Sequence, residues 1–104
     1  MVKLISWNVK GMSSAQKRQS IKVVLVKLKP DLVLIQETKL EVVTDYIIRS
    51  VGLAWGWKFI FIPTSGAAGG VLTAWRESIF EVSSYSCIDN VLLWHAFFLQ
   101  DSLS

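Results

Sequence analysis

Two polar side chains, Asn8 and Glu37, each stand where a short predicted strand ends. Glu37 follows Gln36 and the four apolar residues 32–35, and an unbroken apolar run predicts a strand that is buried on both faces. Asn8 closes an earlier predicted strand that begins at residue 2, and Gly11 marks the turn after it. Because hard cations take carboxylate and amide oxygens as ligands, a carboxylate and a carboxamide that meet at one sheet edge would form half of such a site.

A helix between the two predicted strands is needed to bring Asn8 and Glu37 together. Its apolar residues recur with the period of one helix face: Ile21, Val24, Leu25 and Leu28. Ser13 or Ser14 supplies an N-cap, and Pro30 ends the helix. Strand, helix and strand form a βαβ unit whose two strands run parallel. Adjacent strands lie about 4.8 Å apart, so the order places Asn8 and Glu37 at one edge of the sheet.

The rest of the chain predicts one further helix and several strands. Apolar residues of the second helix, which ends near residue 52, are Val42, Val43, Tyr46 and Ile47, with Ser50 in its last turn. Strands are predicted at residues 55–62, 71–75, 79–85 and 91–99, with turns at residues 76–78 and at Asp89-Asn90. The order βαβαβ followed by an antiparallel meander is typical of an α/β chain with a mixed sheet.

Composition bounds the chain to a single small domain. The 104 residues are 52% hydrophobic with a mean hydropathy of +0.44, which suffices for a core and indicates apolar surface that something else covers. Cys87 is the only cysteine, which excludes an internal disulfide, and it is interpreted as a small buried apolar residue. We find no membrane-spanning run, and the start is too polar for a signal peptide. A nuclear or cytoplasmic location is expected, with no membrane contact and no secretion.

Positive charge is concentrated in the first part of the chain. Residues 1–39 hold eight lysines and arginines against two acidic residues, whereas residues 40–104 hold three against six. Four of the cations follow the first strand: Lys10, Lys17, Arg18 and Lys22. Such a patch could attract phosphate, although a solvated helix face has the same pattern.

Two other features of the sequence suggest chemistry at first sight. The glycine-rich residues 64–70 lack the Gly-Lys-Ser/Thr ending of a phosphate-binding loop and do not open a helix, so they are interpreted as a hairpin connection. His95 is the only histidine and the obvious acid–base candidate. No carboxylate lies near it in the sequence, and it is interpreted as structural.

Three segments together resemble the endonuclease/exonuclease/phosphatase superfamily. Residues 5–12, ISWNVKGM, resemble the family's opening "SWNVRGL" strand, residues 30–39, PDLVLIQETK, match its "PD-apolar-QETK" strand, and residues 65–75, SGAAGGVLTAW, resemble its "SGGxxxxW" strand. More narrowly, these three motifs are similar to those of the N-terminal endonuclease domain of non-LTR retrotransposons. The resemblance covers residues 1–94 and leaves residues 95–104 as a divergent tail.

The resemblance implies a mixed β-sheet with flanking helices, which is half of a four-layer α/β/β/α sandwich. It implies a hydrolase that cleaves phosphodiester or phosphomonoester bonds with Mg²⁺, or Mn²⁺ in its place, and DNA as the partner. Within that family the residue matching Glu37 binds the metal, and the residue matching Asn8 helps to orient metal and phosphate. These two residues are the predicted catalytic and metal-binding residues.

The sequence also departs from the family's pattern. The family's Asp-x-Asn motif, its later metal-binding Asp and its Ser-Asp-His are not matched, since Asp89-Asn90 has the wrong spacing and His95 follows no Ser-Asp. The expectation is therefore a truncated nuclease domain that is inactive alone and self-associates through an exposed sheet face. Two alternatives stay open: a non-catalytic remnant that binds nucleic acid or a protein partner, and a fragment of a superfamily phosphatase.

Overall fold

The computed structural model describes residues 2–65, 69–88 and 91–99. Within these residues the chain forms two helices and six strands. In chain order they are β1 (Leu4–Asn8), α1 (Ala15–Leu28), β2 (Leu32–Gln36), α2 (Asp45–Ser50), β3 (Trp57–Ile62), β4 (Val71–Arg76), β5 (Phe80–Ile88) and β6 (Val91–Phe98).

A four-stranded mixed sheet in the order β1-β2-β4-β3 forms the body of the molecule. The first two strands are parallel neighbours, with Leu4 opposite Leu32 and Asn8 opposite Gln36. Strand β4 is antiparallel to both β2 and β3, so β3 and β4 form a hairpin that inserts its second strand next to β2. The predicted α/β class with a mixed sheet is confirmed, as is the βαβ unit with adjacent parallel strands.

Helix α1 forms where the sequence predicts it because both of its ends are capped. The Ser14 hydroxyl accepts a hydrogen bond from the Lys17 N–H at 3.1 Å, so Ser14 is the N-cap. At the other end Lys29 adopts a left-handed conformation and its N–H donates to the Leu25 carbonyl at 3.0 Å. Ile21 and Leu25 are buried, whereas Leu28 at the end of the predicted stripe is exposed.

The main core lies between one face of the sheet and the two helices. Its buried members are Val9, Met12, Ile21, Leu25, Val33, Ile35, Leu40, Ile48, Val51, Leu53, Leu72 and Ala74. Val33 and Ala74 are opposite each other in the ladder, as are Ile35 and Leu72, so alternate positions of the two central strands supply the sheet side of this core. Both central strands are thereby fixed in register.

The opposite face of the sheet is partly covered by the second sheet, the two-stranded β5–β6 hairpin. A smaller buried cluster of Ile60, Trp75 and Phe80 joins the two sheets. The sequence predicted that this face would be exposed. It is only partly exposed, because the β5–β6 hairpin covers some of it. Leu4, at the far side in β1, is 57% exposed.

Several predicted element boundaries were wrong. Helix α2 begins only at Asp45, because the Thr44 hydroxyl caps it, so Val42 and Val43 precede the helix. Strand β3 begins at Trp57, since Gly56 turns with a φ of 79° and Trp55 is 93% exposed.

Later in the chain the strands begin within one residue of their predicted starts, and their ends differ from the predicted ends by one to three residues. Strand β4 runs on through Arg76, β5 spans Phe80–Ile88 and β6 ends at Phe98. The predicted Asp89-Asn90 turn and residues 66–68 of the glycine-rich loop lie outside the described residues. Strand β6 continues across residue 95, and the domain boundary placed there stays a prediction.

Neither helix in the described part of the chain has the length and hydrophobicity that a membrane span requires.

Candidate functional site

Asn8 and Glu37 meet at the edge where the two parallel strands end. Asn8 is the last residue of β1, opposite Gln36 in the ladder, and Glu37 follows immediately. The Asn8 Nδ2 donates a hydrogen bond to Glu37 Oε2 at 2.6 Å. This edge is the one where open α/β sheets bind ligands. The predicted convergence of the carboxylate and the carboxamide is therefore what the structure shows.

The remaining polar atoms of this pair differ in what they contact. Asn8 Oδ1 accepts a hydrogen bond from the Lys10 N–H at 3.0 Å, which fixes the orientation of the amide. Glu37 is half-buried, and its other oxygen, Oε1, has no hydrogen-bond partner among the described residues. A carboxylate with one oxygen held and one free can accept a cation without breaking an existing contact.

The backbone around Glu37 is held by the segment that follows β1. The Val9 N–H donates to the Gln36 carbonyl at 3.1 Å, and the Gly11 N–H donates to the Glu37 carbonyl at 2.7 Å. Gly11 has a φ of 100°, which suits glycine and lets the chain turn at this point. The parallel pairing thus continues past the strand ends and fixes the two segments to each other.

Strained backbone conformations are concentrated at the same place. Lys10, Glu37 and Lys39 have φ values of 55°, 55° and 57°, in the left-handed region that non-glycine residues rarely adopt. In the described residues the only further non-glycine residue of this kind is Lys29, the C-cap of α1. Such strain persists only where neighbouring structure imposes it, and it is common at functional sites.

Arg18 does not belong to the cationic patch that the sequence predicted. It is only 7% exposed, and its Nη1 donates to the carbonyls of Met12 and Ser13 at 3.1 and 2.7 Å. The Arg18 guanidinium is therefore buried, and its hydrogen bonds stabilise the loop between β1 and α1. Lys17 beside it is half-buried.

The cations that border the site are Lys10 and Lys39, and both are exposed. A β-carbon placed on Gly11 would lie 3.6 Å from Lys39 Cδ, so the Lys39 stem runs beside the turn that follows Asn8. Lys22, in contrast, lies with its stem against Gly52, beyond α2. The sequence analysis did not assign Lys39 to this site, although its position two residues after Glu37 indicates that it lies nearby.

The other chemical candidates are not brought to this edge. His95 is exposed on β6, in the second sheet, where its Nδ1 lies 3.4 Å from Ser84 Oγ. Cys87 lies in β5, and its side chain is outside the described part of the structure. Across the described ranges, no three His, Cys, Asp or Glu side chains group closely enough to hold a metal ion.

Comparison with known proteins assigns the chain to a family. It belongs to the endonuclease/exonuclease/phosphatase family, whose model matches residues 5–102. Among solved structures it is similar to the AP endonuclease LMAP from Leishmania major, with 25% identity, a TM-score of 0.56 and coverage of 78% of this chain and 27% of that one. It shares its fold with the Xenopus laevis APE2 catalytic domain, with 22% identity, a TM-score of 0.55 and coverage of 83% and 26%.

The chain therefore spans about a quarter of the length of the solved structures that it matches. No curated protein sequence matches it. The family and the fold together assign the chain to part of an endonuclease/exonuclease/phosphatase domain.

Proposed function

We propose that this chain forms part of a Mg²⁺-dependent phosphodiesterase domain, a DNA endonuclease, in which Glu37 binds the metal and Asn8 orients metal and phosphate. The observation that carries the proposal is the 2.6 Å hydrogen bond between Asn8 Nδ2 and Glu37 Oε2 at the end of two parallel strands. The AP endonuclease LMAP from Leishmania major, whose fold is similar, supports DNA as the substrate class.

The residues present fit a magnesium ion as one part of its ligand set. Proteins hold Mg²⁺ through one or two carboxylates, and waters and substrate phosphate complete the octahedron. Glu37 Oε1 accepts no hydrogen bond from the described residues and can be such a ligand, and Asn8 Oδ1 keeps a second lone pair beyond the one used by Lys10. Mn²⁺ prefers the same oxygen ligands and could replace Mg²⁺.

The chain's own residues also suit a phosphate group next to the metal. A bound Mg²⁺ would polarise a phosphoryl oxygen and stabilise the leaving alkoxide. Asn8 Nδ2 carries two protons, of which one is donated to Glu37, so the second can be donated to a phosphate oxygen. Lys10 and Lys39 place positive charge at the rim, which would attract the DNA backbone.

We infer that these residues alone do not catalyse cleavage. General acid–base catalysis typically contributes about 10²–10⁴-fold, and His95 lies in the second sheet, away from Glu37. Among the described residues, Glu37 is also the single carboxylate that forms a hydrogen bond with Asn8. The expected result of a plasmid-nicking assay with Mg²⁺ is equal background for the chain and its Glu37→Ala variant. Cleavage that requires both Mg²⁺ and Glu37 would contradict the inactivity.

Metal-dependent binding of DNA tests the site itself. Fluorescence anisotropy of a short labelled duplex, in Mg²⁺ and in EDTA at constant ionic strength, gives the affinity ratio for each variant. We expect Mg²⁺ to raise the affinity severalfold for the native chain and for Glu77→Gln, and to leave Glu37→Gln unchanged. Glu77 is the matched control because it follows β4 at the opposite sheet edge and is exposed. The same ratio for all three chains would contradict the proposal.

A non-catalytic nucleic-acid-binding remnant is the second candidate, and the exposed Lys10 and Lys39 favour it. It predicts DNA binding that weakens steeply with salt and ignores both Mg²⁺ and Glu37.

A retroelement origin is the narrower part of the proposal. It rests on the similarity of residues 5–12 and 30–39 to the retrotransposon motifs. Reverse-transcriptase coding sequence downstream in the genome would support this origin, and its absence would contradict it.

A further inference from the structure

We propose that Gly69 and Gly70 are positioning residues for Glu37, because the lack of a side chain at residue 69 leaves the space that Glu37 needs at the metal site. The inference rests on the proposed function of Glu37. It assigns a role to the glycine-rich loop, which the sequence indicated only as a hairpin connection.

The two glycines run beside the site as a continuation of the antiparallel ladder between β2 and β4. Gln36 is opposite Val71, the last pair of that ladder. Beyond it the Thr38 N–H donates to the Gly70 carbonyl at 3.3 Å, and the Lys39 N–H donates to the Gly69 carbonyl at 2.6 Å. The segment from Glu37 to Lys39 is therefore held on this side by glycine backbone.

A β-carbon at residue 69 would approach Glu37 more tightly than most side chains approach a neighbour, so Glu37 would have to shift by a few tenths of an ångström. A β-carbon there would lie 3.0 Å from Glu37 Cγ, 3.2 Å from its Cα and 3.3 Å from its Cβ. One of these atoms is backbone, so the strain cannot be relieved by rotating the end of a flexible side chain. Since Gly69 does not have a positive φ, the requirement for glycine at this position is steric.

Gly70 has a different reason to be glycine. Its φ is 87°, and a β-carbon would lie 2.6 Å from Thr38 Oγ1 and 3.1 Å from the Thr64 nitrogen. Thr38 is fully buried and its Oγ1 accepts the Leu40 N–H, so it has no room to move away. A side chain at residue 70 would push on the residue next to Glu37.

Neighbouring segments on both sides thus hold Glu37 in a left-handed backbone conformation that a non-glycine residue rarely adopts. Gly11 and Met12 donate to the carbonyls of Glu37 and Thr38 on the β1 side, and the two glycines contact the segment on the β4 side. A ligand held in this way needs no reorganisation when a cation binds. Groups that orient a metal ligand typically change metal affinity about 10–100-fold when they are altered.

The first test compares two glycine variants of the full chain. Gly69→Ala adds contact without backbone strain, whereas the control Gly56→Ala adds strain, at a φ of 79°, with no atom within 4 Å of the new methyl. We expect Gly69→Ala to weaken Mn²⁺ binding about tenfold or more. It should also shift the NMR resonance of the Asn8 side-chain amide. Gly56→Ala should lower the melting temperature and leave both readouts unchanged. Native Mn²⁺ affinity and an unshifted Asn8 resonance in Gly69→Ala would overturn the proposal.

A double-mutant cycle gives a test that needs no metal. Glu37→Gly removes the Cγ and Cβ atoms that a methyl at residue 69 would meet. Gly69→Ala should therefore lower the melting temperature less in the Glu37→Gly chain than in the native chain. If Gly69→Ala lowers the melting temperature equally in both chains, or unfolds both, the proposed contact between residue 69 and Glu37 is wrong. If the native chain binds no Mn²⁺ at this edge, the proposed function fails, and the cycle still decides the role of Gly69.

Discussion

The left-handed backbone at Glu37 connects local strain to the chemistry of the site. A non-glycine residue in this region costs roughly 1–2 kcal/mol relative to a right-handed conformation. Glu37 nevertheless has a φ of 55°, because backbone hydrogen bonds from Gly11 on one side and to Gly69 and Gly70 on the other impose it on this segment. The conformation turns the carboxylate toward Asn8 at the strand end.

Alanine usually gives a more stable chain than glycine at the same position, and we expect the opposite order at residue 37. Both variants lose the hydrogen bond to Asn8, so their difference isolates the backbone. We expect Glu37→Gly to be more stable than Glu37→Ala by about 1 kcal/mol in urea unfolding, because glycine tolerates a positive φ.

A glutamate in ordinary strand backbone provides the control for this comparison. Glu81, in β5, does not have a positive φ, so Glu81→Gly should be less stable than Glu81→Ala. Finding alanine more stable than glycine at residue 37 as well would show that the backbone there is not strained.

The sequence was enough to predict which two residues meet at the site. Their types and their places at the ends of two apolar runs indicated the pair, and the parallel βαβ unit indicated the shared edge. The burial of Arg18 was not predictable from the pattern, because an arginine in the first turns of a helix is usually solvated. Its partners are the carbonyls of Met12 and Ser13, and only the path of the loop reveals them.

Helix α1 is joined to the site through this same arginine. Arg18 Nη1 donates to the Met12 carbonyl, and the Met12 N–H donates in turn to the Thr38 carbonyl at 3.0 Å. The helix, the loop after β1 and the segment after β2 are thereby connected by consecutive hydrogen bonds. Movement of α1 would be transmitted to the residue beside Glu37.

Replacement of Arg18 by methionine should destabilise the chain. Methionine keeps the apolar stem but leaves two carbonyls without their donor, which costs about 1–3 kcal/mol for buried groups. The exposed Lys27 near the end of the same helix is the control, and Lys27→Met should stay within about 0.5 kcal/mol of the native chain. Urea unfolding measures both. Equal stability of the two variants would mean that Arg18 does not support the loop.

Strand order shows where sequence patterns stop being informative. The alternation at residues 57–62 correctly indicated a strand, and the exposed Lys58 suits β3 as an edge strand. The run from Val71 to Trp75 has no alternation, which fits a central strand buried on both faces. That signal could have placed β4 beside β2. Formation of the β3–β4 hairpin does not by itself determine this placement, because β4 pairs with β3 whichever of the two strands lies next to β2.

For the whole molecule, the principal feature is the amount of apolar surface that remains exposed. Among the described residues, the β5–β6 hairpin packs against the first sheet through the small cluster of Ile60, Trp75 and Phe80. Large apolar residues exposed on this hairpin are Tyr85, Leu93, Phe97 and Phe98. Two-stranded sheets depend on packing for stability, and exposed patches of this kind mark interaction surfaces.

We therefore expect the chain to self-associate in solution, which sizing chromatography over a range of concentrations would detect. Phe97→Lys should weaken the association, since Phe97 is 63% exposed and lies opposite Glu81, which can pair with the new lysine. Val42→Lys adds the same charge at an exposed position before α2 and should leave the association unchanged. A sharp monomeric peak for the native chain at all concentrations would contradict the expectation.

The central claim is that Asn8 and Glu37 together hold a divalent cation, and paramagnetic NMR with Mn²⁺ tests it most directly. Sparing amounts of Mn²⁺ should broaden the resonances of residues 8–11 and 37–39 first in the native chain and in Glu77→Gln, and should spare them in Glu37→Gln. Broadening that begins elsewhere, or that persists at these residues without the Glu37 carboxylate, would contradict the account.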